Sequence, residues 1–233
     1  MIKRLTLVRR RDGVPADEFG GRWRAQTELA LVTMPAEARP RRLGHCVVRP
    51  SRHSVIHDGV AISWHDDESA ASEHDRWMSG HPSPESPLDE AASMCVRVEA
   101  RTVNGPDRLD AIWSDRDASA LVLIGFIEPA HGLSRDEFRD YWWDRHRPLA
   151  SRLVPPELGT EAYVHNYVMS GEPGQWAGIG ELYESSLAGA RDRAAWFASD
   201  AALELIADEE RFLVRDTRQL LVMDLDVLVG AFV

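Results

Sequence analysis

The chain has 233 residues, 44% of them apolar, which is enough for one large domain or two smaller ones with a sizeable core. Its formal net charge of -11 would repel phosphate backbones, so no nucleic-acid partner is expected. No apolar run reaches membrane-spanning length and residues 1–12 lack a secretory leader, so no membrane partner is expected. The two cysteines, Cys46 and Cys95, lack metal-ligand spacing. We expect reduced, buried strand residues in a cytoplasmic protein.

The first half of the chain alternates between strand and helix patterns. The predicted elements are a strand at Ile2–Val8, a helix from Pro15 to about Leu31, strands at Leu43–Val48 and Gly59–His65, a helix at Glu68–Met78, a short helix at Leu88–Ser93 and a strand at Met94–Val103. Asn104–Ser119 follows, opens with Asn-Gly-Pro and is charged. We therefore expect an exposed connector there.

The second half follows the same order of elements. The predicted elements are a strand at Leu121–Ile127, a helix at Ser134–Leu149, strands at Glu161–Met169 and Ala177–Tyr183, a helix at Leu187–Phe197, a helical piece at Ala201–Leu213 and a strand at Arg218–Val229. The first of these strands is almost continuously apolar, which indicates burial of both of its faces.

The two halves share an internal repeat without gaps. Residues 13–19 align with residues 132–138, and at the same offset Trp23 aligns with Trp142 and Asp89 with Asp208. Each half then has the order β-α-β-β-α-β, which is the ferredoxin-like arrangement. The sequence predicts an α+β protein with ferredoxin-like units at residues 1–103 and 120–233 and a linker at 104–119. Two such units can pack their bare sheet faces together or close them into a barrel.

The segment Ser134–Leu149 has the clearest helix signals in the chain. Ser134 is a good N-cap and Glu137 stands at the spacing of a capping box. Basic residues crowd the predicted last turn, and Pro148 predicts the end of the helix. One face of this helix carries a phenol, an indole and an imidazole, which suit a pocket wall as well as a core. The residues of that face are Phe138, Tyr141, Trp142, Arg145, His146 and Leu149.

This helix resembles a known family signature. Its pattern, Phe138-x-x-Tyr141-Trp142-x-x-x-His146-x-Pro148-Leu149, is similar to the F-x-x-Y-W-x-x-x-H-x-P-L signature of EthD-type proteins in the dimeric α/β-barrel superfamily. The resemblance implies a tandem-duplicated, ferredoxin-like pseudo-dimer with a pocket between helices and sheet. Relatives in this superfamily include cofactor-free polyketide cyclases and monooxygenases, dehydratases, muconolactone isomerases and haem-binding enzymes. The first half departs from the pattern, because Thr27 stands at the position of His146.

His146 is the first candidate for chemistry. An imidazole with a pKa near neutrality can take a proton from an acidic C–H or a phenol and return it elsewhere. The alternative is a structural cap, in which the ring bonds a backbone carbonyl and holds the turn before Pro148. The sequence leaves both interpretations open.

The four tyrosines all lie in the second half, where they accompany a second histidine. Tyr163, His165 and Tyr167 alternate along one strand and share a face, as do Glu181 and Tyr183 on the next. If these faces look toward the Ser134 helix, they would gather phenols, imidazoles and a carboxylate around an oxygenated aromatic molecule. The alternative is core or sheet-edge packing, which we favour for Trp142.

These observations favour a cofactor-free enzyme that acts on a small oxygenated molecule, aromatic or polyketide-like, by acid/base proton transfer. The reaction would be a dehydration, cyclisation or isomerisation. We expect His146, Tyr141 and His165 as catalytic residues. We expect Trp142, Tyr163, Tyr167, Glu181 and Tyr183 to bind the substrate, with no metal and no cofactor. The alternatives are a non-catalytic binding or accessory protein and a cofactor-free monooxygenase. A small molecule is the expected partner, and a homodimer of such chains stays open.

Overall fold

This computed structural model describes residues 1–50, 56–81, 83, 85–115, 119–169, 176–215 and 219–229. Within those residues, no helix is both long enough and apolar enough to cross a membrane. The strands are β1 Ile2–Arg10, β2 Arg42–Val48, β3 Gly59–His65, β4 Leu88–Asn104, β5 Ser119–Ile127, β6 Ala162–Val168, β7 Gly178–Glu184 and β8 Gln219–Val229. The helices are α1 Ala16–Thr33, α2 Glu68–Gly80, α3 Pro106–Ser114, α4 Arg135–Tyr141, α5 Arg147–Leu153, α6 Leu187–Phe197 and α7 Leu203–Glu209.

The strands hydrogen-bond in the order β1-β3-β2-β8-β5-β7-β6-β4, and β4 pairs with β1. The chain is therefore a mixed α+β protein with a closed eight-stranded barrel, and the predicted fold class is confirmed at this level. The chain divides into two compact units. The first unit comprises residues 1–98, 111–119 and 223–233, and the second unit comprises residues 99–110 and 120–222. The two long strands β4 and β8 each contribute to both units.

Two sequence-based predictions about the first unit are wrong, and the connector contains a helix that was not predicted. Leu88–Ser93 begins the long strand β4 instead of forming a helix, because Leu88 and Asp89 pair with the end of β1. Most described residues of the predicted connector are exposed, but it contains α3, whose Trp113 is fully buried edge-on against Trp64 at 4.6 Å between ring centroids. Cys95 is exposed, whereas Cys46 is buried as predicted.

The Ser134 helix begins as predicted but does not end at Pro148. The Ser134 backbone N–H donates to the Glu137 carboxylate at 2.9 Å, and the Glu137 N–H donates to the Ser134 hydroxyl at 3.2 Å, so the capping box is confirmed. After α4, residues 142–146 form a π-helical turn, and the helix continues as α5 to Leu153. The Arg147 N–H donates to the Trp142 carbonyl, five residues back. This wider turn accommodates Pro148, which lacks an N–H and crowds the preceding turn of an α-helix.

Each unit packs a helix tryptophan against a strand glycine. In the first unit Trp23 lies on Gly59, where an added Cβ would come within 2.7 Å of the indole. In the second unit Trp142 lies on Gly178, where an added Cβ would come within 2.6 Å of the indole and 2.9 Å of Phe138. The glycines are therefore required by close approach of the ring, and the rings fix the distance between helix and sheet.

Gly178→Ala is expected to lower the free energy of unfolding by about 1–3 kcal/mol, because the methyl group must displace Trp142 or the strand. Gly180→Ala, two residues along the same strand, is the matched control, since its Cβ would lie at an ordinary 3.5 Å from Tyr163. Urea unfolding of both variants measures the difference. Equal stabilities of the two variants would contradict the packing described for Trp142.

Burial also shapes the acid stability of the chain. His45 is 3% exposed and stacks on Trp23 at 3.7 Å between ring centroids. Burial, with a smaller contribution from Arg24, lowers its pKa to about 3. Below pH 6.5 the unfolded chain gains a proton at this site that the folded chain does not bind.

Stability should therefore fall as the pH drops below about 6.5, by up to about 1.4 kcal/mol per pH unit for His45 alone. His45→Gln should make this decline shallower, while the exposed His131→Gln should leave it unchanged. Chemical unfolding at a series of pH values between 6.5 and 5 measures both slopes. The same slope in wild type and His45→Gln would rule out a neutral, buried His45.

Candidate active site

The second unit encloses a cavity of about 550 Å³ between its sheet and its helices. Strands β5, β6 and β7 form one wall, and the segment from the π-helical turn into α5, together with α6 and α7, forms the other. Most of the lining is apolar. The polar and aromatic residues of the lining are Asn104, Trp142, His146, Arg147, Ser151, Thr160, Tyr163, His165, Arg193, Phe197, Glu209 and Phe212.

A buried carboxylate holds His146 in the wall of this cavity. The His146 Nδ1 atom lies 2.9 Å from Asp208 Oδ2, and the two side chains are 10% and 8% exposed. The Tyr141 hydroxyl donates to the other oxygen of the same carboxylate at 2.8 Å. Burial, followed by this bond to Asp208, raises the pKa of Tyr141, so its phenol stays protonated as a donor.

This arrangement selects one form of the His146 ring. With Nδ1–H donating to the carboxylate, Nε2 is the nitrogen left for the cavity. The ring also packs on Phe212, 4.8 Å away between centroids, which restricts its rotation. His146 does not cap a helix terminus, because the helix continues past it and its partner is a carboxylate.

His165 lies in the same wall of the cavity, but its ring is fully buried and has no carboxylate partner among the described residues. It is 0% exposed and stacks on Trp142 at 3.7 Å between ring centroids, with 14° between the planes. Its Nδ1 bonds the Tyr167 hydroxyl at 3.2 Å. Burial, with smaller contributions from His146 and Arg147, lowers the pKa of His165 to about 2. His165 is therefore a neutral imidazole at physiological pH.

The structure brings together only part of the predicted site. His146, His165, Trp142 and Tyr163 line the cavity. Tyr141 and Tyr167 do not line the cavity. Tyr141 bonds Asp208, and Tyr167 bonds His165.

Glu181 and Tyr183 lie on the opposite face of β7, since Gly180 and Leu182 are the residues of that strand that face the cavity. The Tyr183 hydroxyl donates to Glu181, and Asn166 donates to the same carboxylate at 3.0 Å. The choice of face could not be read from the alternation alone, because both faces of β7 are buried.

Asp208, Arg147, Glu209 and Phe212 were not predicted as site residues. The repeat aligns Asp208 with Asp89, but Asp89 lies in β4 and Asp208 in α7. In the sequence, Asp208 is not distinguished from the neighbouring acidic residues Glu204, Glu209 and Glu210. Arg147 reaches the cavity wall after the π-helical turn, which a regular helical period does not predict.

The first unit provides an internal comparison for this site. It has the same stacked pair, Trp23 on His45, but the side chain next to His45 is Thr27, whose hydroxyl lies 3.4 Å from Nε2. The stacked tryptophan–histidine pair thus occurs in both units, whereas the histidine–aspartate pair is a feature of the second. In the described part of the chain, no group of three or more His, Cys, Asp or Glu side chains is placed to hold a metal ion.

Solved structures with a similar fold cover almost the whole chain. They include a protein described as a "putative monooxygenase" from Lactobacillus acidophilus NCFM, with a TM-score of 0.53 and 13% identity over 99% of this chain and 97% of that one. An anthrone oxidase-like protein has a TM-score of 0.56 and 12% identity over 100% and 94% of the two chains. A mutant chlorite dismutase from Candidatus Nitrospira defluvii has a TM-score of 0.52 and 10% identity over 95% and 90%. At these identities the likeness shows the fold alone.

A comparison with curated protein sequences gave no match. Residues 130–216 match the model of the EthD domain. This segment contains the histidine of the predicted signature, its aspartate partner and most of the cavity wall. The similarity to the EthD domain is therefore shown for residues 130–216, which lie within the second unit.

Proposed function

We propose that the chain is a cofactor-free enzyme that transfers protons on a small oxygenated aromatic or polyketide-like molecule. The observation that carries this proposal is the His146–Asp208 pair in the wall of a largely apolar cavity of about 550 Å³. A cavity of this size and character suits a small organic ligand, and an imidazole oriented by a carboxylate is a common general base in enzymes. The reaction would be a dehydration, a cyclisation or an isomerisation.

In the proposed step, His146 Nε2 takes a proton from an acidic C–H or a phenolic O–H of the substrate. The bonding electrons stay on the substrate as an enolate or phenolate, and the ring becomes an imidazolium that Asp208 stabilises. The same ring then returns the proton to carbon in an isomerisation, or to a leaving hydroxide, as water, in a dehydration. The cycle needs neither an oxidant nor a reductant.

The remaining predicted residues take separate roles in this proposal. Tyr141 is a positioning residue, because its hydroxyl holds the carboxylate that orients His146. His165 is too weak a base for proton abstraction with a pKa of about 2, and instead offers a hydrogen bond to the ligand. Trp142 and Tyr163 supply aromatic surface, and Tyr167 supports His165 from behind.

Two other functions remain as alternatives. A non-catalytic binding or accessory protein would use the same cavity without turnover. A cofactor-free monooxygenase would need O₂ and a readily oxidised substrate. The names of two proteins of similar fold, the anthrone oxidase-like protein and the monooxygenase, support this second alternative.

We also infer that the two units are copies of one ferredoxin-like unit. Equivalent contacts support this, since Trp23 on Gly59 and Trp142 on Gly178 are separated by the same offset in the chain. The boundaries at 1–103 and 120–233 belong to this inference. A cytoplasmic location, a small-molecule partner and a homodimer stay proposals.

His146→Ala should lower conversion of a responsive substrate by about 10²–10⁴-fold, because it removes the general base. The assay follows a panel of phenolic and polyketide-like compounds by liquid chromatography, using protein whose absorption spectrum shows no coloured cofactor. The exposed His131→Ala is the matched control and should keep wild-type activity. Conversion by His146→Ala at the wild-type rate would contradict the proposal. Saturable binding without conversion favours the accessory protein, and stoichiometric oxygen uptake favours the monooxygenase.

Asp208→Asn should reduce kcat by about tenfold or more with a smaller effect on KM, because the amide neither fixes the Nδ1–H form nor stabilises the imidazolium. Tyr141→Phe removes only the hydroxyl that holds Asp208, and should cost less. Steady-state kinetics of both variants measure the split between kcat and KM. A kcat unchanged in Asp208→Asn would exclude the carboxylate from the mechanism.

A further inference from the structure

Arg147 brings a cationic group to the cavity wall immediately after the π-helical turn. Its Nε donates to the Trp143 carbonyl at 3.1 Å, and its guanidinium lies 4.4 Å from the centroid of the Trp143 ring. The backbone bond and the ring contact fix the plane of the guanidinium. Among the residues that the structure describes, the two terminal nitrogens have no hydrogen-bond partner.

The other charged side chains of the cavity are balanced by neighbours. Arg193 donates through Nε to Glu184 at 2.8 Å, and both of these side chains are buried. Glu209 lies 3.5 Å from Arg215. Within the described residues, by contrast, no carboxylate lies within ion-pairing distance of Arg147. A cation that lines a cavity without a counter-ion is a candidate for binding an anionic ligand.

A second observation at the same wall points to a ligand. His165 is fully buried, and its Nε2 has no hydrogen-bond partner among the residues that the structure describes. The Tyr167 hydroxyl lies 3.2 Å from the other ring nitrogen, Nδ1, so Nε2 is the nitrogen that lacks a partner among these residues. Buried polar atoms are normally bonded, so a polar group of a ligand or a water in the cavity would complete this site.

We propose that the cavity selects aromatic carboxylates, with the carboxylate held by the terminal nitrogens of Arg147. Two parallel N–H groups match the two oxygens of a carboxylate, which is a closer fit than to a single phenolate oxygen. Trp142 and Phe212 line the apolar part of the same cavity and suit a planar ring. This inference rests on the proposed function only in that it takes the same cavity as the substrate site.

Isothermal titration calorimetry on the full chain tests the selection with three acid and amide pairs, namely those of benzoic, 2-naphthoic and 2-anthracenecarboxylic acid. Each amide is a neutral isostere of its acid. Wild type should bind at least one acid about tenfold or more tightly than its amide. Arg147→Gln should abolish this preference.

Arg145→Gln is the matched control. It removes the same charge from the neighbouring π-helical turn, but the Arg145 side chain is exposed and does not line the cavity. It should keep the preference for the acid. Arg147→Lys keeps the charge without the paired donors, so its affinity for the acid should lie between those of wild type and Arg147→Gln. This variant tests the inference even if Arg147→Gln folds poorly.

Equal affinity for acid and amide in wild type overturns this inference, as does an acid preference that survives in a folded Arg147→Gln. Binding of none of the three acids at 1 mM overturns it too. Measuring binding and turnover separately distinguishes this inference from the proposed function. Wild-type protein that prefers the acid but converts no compound contradicts only the proton-transfer proposal. Wild-type protein that converts neutral compounds but shows no acid preference contradicts only the anion site.

Discussion

The hydrogen bond between His146 and Asp208 is the interaction on which the candidate site depends. Both side chains are almost completely buried, so neither could be held there at low free-energy cost without the other. The carboxylate needs donors for both oxygens, and the imidazole and the Tyr141 phenol supply them. The pair thereby fixes which ring nitrogen remains for the cavity, and with it the chemistry that the cavity can perform.

The π-helical turn explains how one short segment serves both packing and chemistry. Before the turn, Phe138 and Trp142 pack on the strand glycine and set the distance between helix and sheet. After it, the helix axis continues but the register of side chains changes, so that His146 and Arg147, adjacent in sequence, both line the cavity. Wide turns of this kind are frequent at functional sites, because they present side chains that a regular α-helix would separate.

Local features of this site could be predicted from the sequence, whereas long-range partners could not. The Ser134 cap follows from residues three positions apart, and the shared face of Tyr163 and His165 follows from the two-residue period of a strand. Asp208 is 62 residues from His146, and no local pattern links the two. The π-helical turn was missed because Pro148 reads as a helix end when a regular helix is assumed. The inward face of β7 was undetermined because burial on both sides removes the alternation of apolar and polar residues.

The most direct test of the account is the protonation pattern of the His146 ring. Nitrogen NMR of protein labelled with ¹⁵N-histidine, at a pH where free imidazoles are neutral, distinguishes the two ring nitrogens, and the His146 signals are assigned by their loss in His146→Gln. The account predicts a protonated Nδ1 and an unprotonated Nε2 in wild type, with this preference lost in Asp208→Asn. A protonated Nε2 in wild type, or a pattern that Asp208→Asn leaves unchanged, would contradict the central role of the pair.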